Sequence, residues 1–247
     1  MQEKCILFDL DGTLTDPFRG ITRSVQYSLE KFGIHAGLEE LKCFIGPPLI
    51  DSYEKYFDFS EEQAKLAVGY YRELYNDGGA KFDNRVYDGI PEMLGKLRNS
   101  GKKIILATSK PLIFAEQILE HFGLQKYFDR CFGCELDGRR TRKDEVIEYA
   151  VEQYEIDKND AVMVGDREQD VIGAHKNGIK CIGVRWDMPK KMNSKSTEPT
   201  GLFQLSRNLN EYYLHKYTLY GCIFIRLRAQ TMDVTLKAFK MHAEVFL

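Results

Sequence analysis

Two aspartates near the start of the chain have the type and spacing for paired nucleophilic and acid–base chemistry. Asp9 and Asp11 follow a short apolar run, Cys5-Ile6-Leu7-Phe8, that predicts a buried strand, and Gly12 then ends the strand in a turn. Open α/β sheets place their chemistry at such strand ends, where one carboxylate can attack while its neighbour moves protons. A solvated acidic turn after an edge strand is the alternative, and the pair alone leaves both interpretations open.

Polar residues also follow two later apolar runs and begin two later helices. The runs 103–107 and 161–164 predict buried strands. Because parallel strands end at one edge of a sheet, we expect the groups that follow them to converge there. The full set is Asp9, Asp11, Thr108, Ser109, Lys110, Lys143, Asp166 and Asp170.

This set favours a phosphoryl group held beside a hard cation. Carboxylates at an oxygen-rich site suit a divalent ion, above all magnesium, which would offset their mutual repulsion. A lysine and a hydroxyl beside it suit the phosphoryl oxygens. The sequence has no Gly-x-x-x-x-Gly-Lys-Ser/Thr loop, so we expect phosphate to be held differently than in P-loop NTPases.

Each member of the set also has a plainer interpretation. Thr108 is compatible with an ordinary strand end, and Lys143 with a first-turn lysine that has Arg142 as its neighbour. Asp166 and Asp170 lie four residues apart, as exposed acids favoured by a helix dipole would. Their occurrence together makes the plainer interpretations weak.

The pattern of elements predicts an α/β fold with a doubly wound, Rossmann-like parallel sheet. From Val86 onward, helical and strand patterns alternate, as in parallel sheets with helices on both faces. Segment 17–85 is different, because it reads as all-helical and contributes no strand. The predicted helices in it span about 17–32, 38–43 and 60–76; the later strands are 103–107, one near Cys131, 161–164 and 180–184, and the later helices are 91–99, 111–122, 143–154 and one through Ala174.

Composition narrows the choice of partners. The net charge of −2 gives no reason to expect a nucleic acid polymer or an anionic membrane as partner, and no apolar run is long enough to span a membrane. Met1-Gln2-Glu3-Lys4 enters a strand at once, so we expect no signal peptide and a cytoplasmic location. Six cysteines do not make a disulfide framework, and Cys131 and Cys134 are expected to be buried strand thiols. The oligomeric state stays open.

The motifs resemble those of the haloacid dehalogenase (HAD)-like hydrolase superfamily, and the resemblance covers roughly residues 3–186. All four motifs of that superfamily occur in order: Asp9-Leu10-Asp11-Gly12-Thr13, Thr108-Ser109-Lys110, Lys143, and Gly165-Asp166-Arg167-Glu168-Gln169-Asp170. The helical segment 17–85 resembles a C1-type cap. Other stretches resemble the phosphoglycolate phosphatase and bacterial 5′-nucleotidase branch: Asp16-Pro17, Gly20-Ile21-Thr22-Arg23-Ser24-Val25, Gly46-Pro47-Pro48 and Leu136-Asp137-Gly138-Arg139-Arg140.

The resemblance implies an Mg²⁺-dependent phosphomonoester hydrolase acting on a small phosphorylated metabolite, a nucleoside 5′-monophosphate or 2-phosphoglycolate. Asp9 would be the nucleophile that forms an aspartyl-phosphate, and Asp11 the acid and then the base. A phosphomutase of the same fold and a non-catalytic phosphate-binding or regulatory domain are the alternatives.

The resemblance also implies a division of the chain and of the site. Residues 1–16 and 86–186 would form the catalytic core, and 17–85 the cap. The implied metal ligands are Asp9, Asp11 through its backbone carbonyl, Asp166 and Asp170, and the phosphoryl oxygens would be held by Thr108, Ser109 and Lys143.

The carboxyl-terminal segment 187–247 does not resemble the family. Codons permitted for residues 186–200, read one nucleotide earlier, can spell a family-like turn, acidic helix and Gly-Ala-Asp. We therefore expect that a nucleotide was lost near the Trp186 codon, leaving an out-of-frame tail and a core without its last strand and helix. Stretches such as Cys222-Ile223-Phe224-Ile225 would then be exposed. The alternative is a divergent terminus in which Leu202-Phe203-Gln204-Leu205 is the final strand.

Overall fold

A parallel sheet lies at the centre of the computed structural model, which describes residues 3–186 and 223–227 of the 247-residue chain. Its six strands lie in the order β5-β4-β1-β6-β7-β8, and every neighbouring pair is parallel. The predicted fold class is confirmed. The strands are β1 (Cys5–Phe8), β4 (Lys103–Pro111), β5 (Arg130–Cys134), β6 (Ala161–Gly165), β7 (Lys180–Trp186) and β8 (Ile223–Leu227).

Helices cover both faces of this sheet, which is why β1 and β6 are apolar along their whole length. Side chains of β1 alternate between two cores: Cys5 and Leu7 face one, Ile6 and Phe8 the other. The first core is completed by α6 (Lys143–Gln153) and α7 (Glu168–Lys176), the second by α4 (Ile90–Asn99) and α5 (Leu112–His121).

A helical segment with its own apolar core lies between β2 (Thr15–Asp16) and β3 (Arg85–Val86), two short strands that pair antiparallel. Because β3 includes Arg85, the expectation that 17–85 contributes no strand is wrong at its last residue. The segment contains α1 (Phe18–Glu30), α2 (Leu49–Phe57), α3 (Glu61–Arg72), a π-helical turn over Glu73–Asp77 and 3₁₀ turns at Glu40–Phe44 and Ala80–Phe82.

Two features of this segment differ from the sequence prediction. Helix α2 was not predicted; it begins directly after Pro48 and buries Tyr53 completely. The predicted helix over 60–76 is α-helical only to Arg72, after which it widens into the π-helical turn. Such a turn changes the direction in which the last side chains point, and Tyr75 lies within it.

Strand β8 contradicts one expectation about the carboxyl-terminal segment. The backbone of β8 pairs in parallel with β7, from Ile182 opposite Ile223 to Trp186 opposite Leu227, so the sheet has a sixth strand beyond β7. The expectation that the core lacks a strand at this edge is therefore wrong. The alternative strand 202–205 and the other residues that the reading-frame hypothesis concerns, 187–222 and 228–247, lie outside the described residues.

Two smaller expectations concern thiols and membranes. Cys131 and Cys134 lie on β5 as free thiols, Cys134 buried and Cys131 half-buried, and burial raises the pKa of Cys131 to about 12. Neither is poised as a thiolate. In the part of the chain that the structure describes, no helix combines the length and apolar character needed to cross a membrane.

Candidate active site

Asp9 occupies the position directly after β1, where its backbone N–H still donates to the carbonyl of Val164 at 2.9 Å. The chain then turns at Gly12, which has a φ of +83°. A Cβ atom there would lie 2.3 Å from Oδ2 of Asp166. Gly12 is thus required twice, by its left-handed backbone conformation and by the carboxylate that lies against it. Thr13 donates from Oγ1 to Asp166 Oδ1 at 3.3 Å and so joins the first and fourth motifs.

Lys143, the first residue of α6, extends its side chain to Asp9. Its Nζ lies 2.8 Å from Oδ1 of Asp9 and 2.9 Å from Oδ1 of Asp170, and it donates to the carbonyl of Ala107 at 3.1 Å. Burial alone would lower the pKa of Lys143, but the two carboxylates outweigh it and the pKa lies above its ordinary value. Arg142, by contrast, is exposed, and its guanidinium pairs with Asp144.

Three carboxylates converge beside this lysine. Asp9, Asp166 and Asp170 each offer one oxygen, and the three oxygens lie within 4.8 Å of one another. Burial and the neighbouring carboxylates of Asp9 and Asp170 raise the pKa of Asp166 to about 7. Burial also raises the pKa of Asp170, against the opposing effect of Lys143. The cluster therefore carries more negative charge than one ammonium group offsets.

The donor chemistry of the three carboxylates fits a hard divalent cation. All three ligands are oxygens, and two of the residues, Asp9 and Asp170, are buried. A cation at this place would stabilise the ionised forms of Asp166 and Asp170, whose pKa values burial raises. Close packing supports the arrangement, because a Cβ on Gly165 would lie 2.2 Å from Cγ of Asp170. These residues are thus able to hold a metal ion.

Asp11 lies beside this cluster, but its carboxylate has a different partner. Its Oδ2 is 2.7 Å from Nζ of Lys110, and this lysine also donates to Oη of Tyr75 at 2.6 Å. Burial raises the pKa of Asp11, and the ammonium of Lys110 opposes that effect. A carboxyl group that keeps its proton more readily than usual is suited to acid catalysis. The predicted metal contact of Asp11 involves its backbone carbonyl and stays a prediction.

Lys110 is in the predicted set of strand-end groups and directly follows Thr108 and Ser109 in the second motif, but the sequence predicted no role for it in the site. Its side chain is only 8% exposed, and Asp11 and Tyr75 raise its pKa although burial opposes them. The position of Lys110 in the second motif could have suggested a role in the site. Tyr75 has no comparable signal, because it lies in the helical segment and looks like an ordinary core aromatic residue.

Thr108 and Ser109 lie on the last part of β4, where the register with β5 shifts between Ala107 and Pro111. Thr108 is buried, and its Oγ1 accepts a hydrogen bond from the backbone N–H of Lys110 at 3.3 Å. Ser109 is half-buried. Both residues lie on the strand beside β1, and their role toward a phosphoryl group stays a prediction.

The helical segment approaches the site at a second place. Gly46, with a φ of +104°, lies so close to Arg167 that a Cβ on it would be 3.0 Å from the guanidinium carbon. Nε of Arg167 in turn lies 3.3 Å from Oδ2 of Asp166. The loop around Gly46 and the π-helical turn that contains Tyr75 thus contact basic residues that pair with site carboxylates.

The chain is similar in sequence and structure to known proteins. A family model described as haloacid dehalogenase-like hydrolase matches residues 6–184. A 5′-nucleotidase from Pseudomonas aeruginosa is 44% identical over 196 residues, which cover 79% of this chain and 88% of that protein. Phosphoglycolate phosphatase 1 from the same species is 29% identical over 192 residues, covering 74% and 70%. The crystal structure of a predicted phosphatase from Clostridium acetobutylicum is 40% identical, with a TM-score of 0.77, and covers 98% of this chain and 100% of that chain.

The chain belongs to the haloacid dehalogenase-like hydrolase family. Within that family it is an enzyme of the phosphatase type, similar to the 5′-nucleotidase and phosphoglycolate phosphatase relatives. The resemblance stated from the motifs and the predicted enzyme class are confirmed.

Proposed function

We propose that this enzyme is a magnesium-dependent phosphomonoesterase that works through an aspartyl-phosphate. The observation that carries the proposal is the position of the Lys143 ammonium, 2.8 Å from Asp9 inside a cluster of three carboxylates, with Asp11 two residues away. A buried carboxylate nucleophile needs an opposite charge beside it, and the ammonium of Lys143 supplies that charge.

In the first step a carboxylate oxygen of Asp9 forms a bond to phosphorus, and the bond between phosphorus and the leaving oxygen breaks. Asp11 donates its proton to that oxygen as the bond breaks. In the second step water attacks the same phosphorus, Asp11 takes the proton of that water, and the bond between phosphorus and Asp9 breaks. Phosphate is released, Asp9 is again a carboxylate, and Asp11 again carries a proton.

The remaining site residues bind and orient the substrate. When bound, magnesium would neutralise negative charge on the phosphoryl group and on the carboxylates that hold it. Lys143 spans the nucleophile and Asp170, so it is also placed to hold a phosphoryl oxygen. We assign the metal to Asp9, Asp166, Asp170 and the backbone carbonyl of Asp11, and the phosphoryl oxygens to Thr108, Ser109 and Lys143.

Substrate choice belongs, in this proposal, to residues 17–85 acting as a cap over a core of 1–16 and 86–186. The contact between Gly46 and Arg167 supports this division, because it brings a loop of the helical segment to a residue that pairs with Asp166. The relative with 44% identity is a 5′-nucleotidase, which favours a nucleoside 5′-monophosphate as substrate over 2-phosphoglycolate.

Phosphate release from an aryl phosphate tests the chemistry. We expect turnover with magnesium, none with excess chelator, and a loss of at least about 10³-fold in Asp9→Asn, because the nucleophile is then gone. Asp137→Asn, in an exposed loop, is the matched control and should keep full activity. Turnover that survives Asp9→Asn would exclude the aspartyl-phosphate route. A panel of phosphorylated metabolites, with 5′-nucleotides and 2-phosphoglycolate first, then identifies the substrate, and phosphate returned to the product rather than released would identify a phosphomutase.

A further inference from the structure

Lys110 joins three parts of the enzyme that are distant in sequence. It lies at the end of β4, its ammonium pairs with Asp11 after β1, and it donates to Tyr75 in the helical segment. The three groups are largely shielded from water: the side chains of Lys110 and Asp11 are 8% and 14% exposed, and Tyr75 is 3% exposed. An ammonium group in this setting holds both partners only while the helical segment lies on the core.

Tyr75 is itself held in place by aromatic neighbours. Tyr71 stacks on it with ring centroids 5.0 Å apart, and Phe114 of α5 meets it edge-on at 6.4 Å. The π-helical turn places Tyr75 at this point, between α3 and the core. The hydroxyl group that accepts from Lys110 is therefore fixed by packing rather than free to follow the lysine.

The two oxygens of Asp11 have different surroundings. Oδ2 is paired with Lys110 at 2.7 Å, whereas Oδ1 is buried and accepts no hydrogen bond from any residue that the structure describes. A proton on Oδ2 would face an ammonium group at hydrogen-bond distance, which is unfavourable. Lys110 therefore holds Oδ2 in place, and Oδ1 is the oxygen left for proton transfer.

From this arrangement we propose that Lys110 is a positioning residue, which orients the acid–base group Asp11 and does so when Tyr75 of the helical segment holds it. The proposal rests on the proposed function, since it assigns proton transfer to Asp11. It makes the acid step dependent on contact between the cap and the core. When the helical segment does not lie on the core, Lys110 lacks Tyr75 and Asp11 is less firmly held.

The dependence of rate on the leaving group tests this role. A proton delivered in the first step matters for poor leaving groups and hardly for good ones, and kcat/KM reports that step. We expect Lys110→Met to lower kcat/KM by about 10- to 100-fold for aryl phosphates whose phenol has a high pKa, since general acids contribute about 10²- to 10⁴-fold. For 4-nitrophenyl phosphate the loss should stay within about 3-fold. The plot of log kcat/KM against leaving-group pKa thus becomes steeper.

A double-mutant cycle tests the link to the cap. Tyr75→Phe should also make the plot of log kcat/KM against leaving-group pKa steeper, but by a smaller amount than Lys110→Met. In the Lys110→Met background, Tyr75→Phe should have no further effect, because Tyr75 acts through Lys110. Lys65→Met, which removes an exposed lysine paired with Glu61, is the control and should leave the plot unchanged. Additive losses in the double variant would overturn the link.

The outcomes separate this inference from the proposed function. If the unchanged enzyme hydrolyses no member of the series with magnesium present, both fail. If it does, and Lys110→Met lowers kcat/KM equally for all leaving groups, then Lys110 has only a structural role and the inference alone is overturned. If Lys110→Met does not fold, Tyr75→Phe decides by itself, and a plot parallel to that of the unchanged enzyme overturns the inference.

Discussion

Replacing Asp166 with asparagine is expected to make the metal-free enzyme more stable while abolishing its activity. Asp166 lies against Asp9 and Asp170, and burial with these like charges raises its pKa from 3.8 to about 7. Above that pH the ionised carboxylate opposes folding unless a cation is bound. Asparagine removes the charge and keeps an oxygen that can accept from Thr13, whose Oγ1 lies 3.3 Å from Asp166 Oδ1.

The magnitude follows from the pKa. A rise from 3.8 to about 7 corresponds to about 4 kcal/mol at about 1.4 kcal/mol per pH unit, which is an upper bound. Loss of the 3.3 Å pair with the partly exposed Arg167 subtracts less than about 1 kcal/mol. We expect a net gain of about 1 to 3 kcal/mol at pH 8, or about 3 to 9 °C in melting temperature for a domain of this size.

The effect has a defined direction with pH. Between pH 4 and 7 the folded state holds a proton on Asp166 that the unfolded state releases, so the unchanged protein loses stability as the pH rises through this window. Asp166→Asn lacks this contribution. Its advantage should therefore be largest at pH 8 and much smaller at pH 5, because only about one of the three pH units in this window has then been passed.

Thermal melting in excess chelator at pH 5, 6, 7 and 8 measures the difference, and the series is repeated with magnesium. Magnesium should raise the melting temperature of the unchanged enzyme, mainly at high pH, and that of Asp166→Asn much less. Asp137→Asn is the control of opposite sign, because contacts with Arg139 lower the pKa of Asp137 and its loss should bring no gain. An equal shift at pH 5 and pH 8, or a destabilised Asp166→Asn at pH 8, would refute the reasoning.

Two further predictions concern neighbouring residues with contrasting environments. Lys143→Met leaves Asp9 and Asp170 without their ammonium partner and should lower the free energy of unfolding in urea by about 3 to 5 kcal/mol. Arg142→Ala removes an exposed pair and should lower it by less than about 0.5 kcal/mol. Equal losses would contradict the buried ion pairs. Gly12→Ala should cost more than about 2 kcal/mol and abolish magnesium binding measured by calorimetry, because its Cβ would lie 2.3 Å from Asp166. Gly33 has a similar φ of +71°, but a Cβ there would have nothing within 4 Å, so Gly33→Ala should cost only about 1 kcal/mol. A larger cost for Gly33→Ala than for Gly12→Ala would be evidence against a steric role of Gly12.

Local patterns were sufficient for much of the catalytic core. The apolar run before Asp9 predicts β1, and the runs before Thr108 and Asp166 predict β4 and β6, because a strand buried on both faces must be apolar throughout. The same patterns missed β2 and β3. These strands have two residues each, and they exist because they pair with one another rather than because of their composition.

The helical segment contains elements that local sequence patterns do not predict. Helix α2 follows directly on Gly46-Pro47-Pro48, a stretch that marks a loop, and its burial of Tyr53 depends on neighbours elsewhere in the chain, such as Phe44 and Phe59. The widening of the helix over Glu73–Asp77 has no signature that the sequence analysis could use. The predicted division into core and cap stays a proposal.

The sequence by itself determined which chemical groups the site could contain: two aspartates after one strand, a hydroxyl pair after another, a lysine at a helix start and an acidic turn after a third strand. Only the tertiary structure decided how these groups are paired. Asp9 pairs with Lys143, whereas Asp11 pairs with Lys110 and through it with Tyr75, which lies 35 residues before Lys110. Spacing along a strand or helix determines the direction of each side chain, but the partner of a buried charge depends on which distant segments pack together and exclude water.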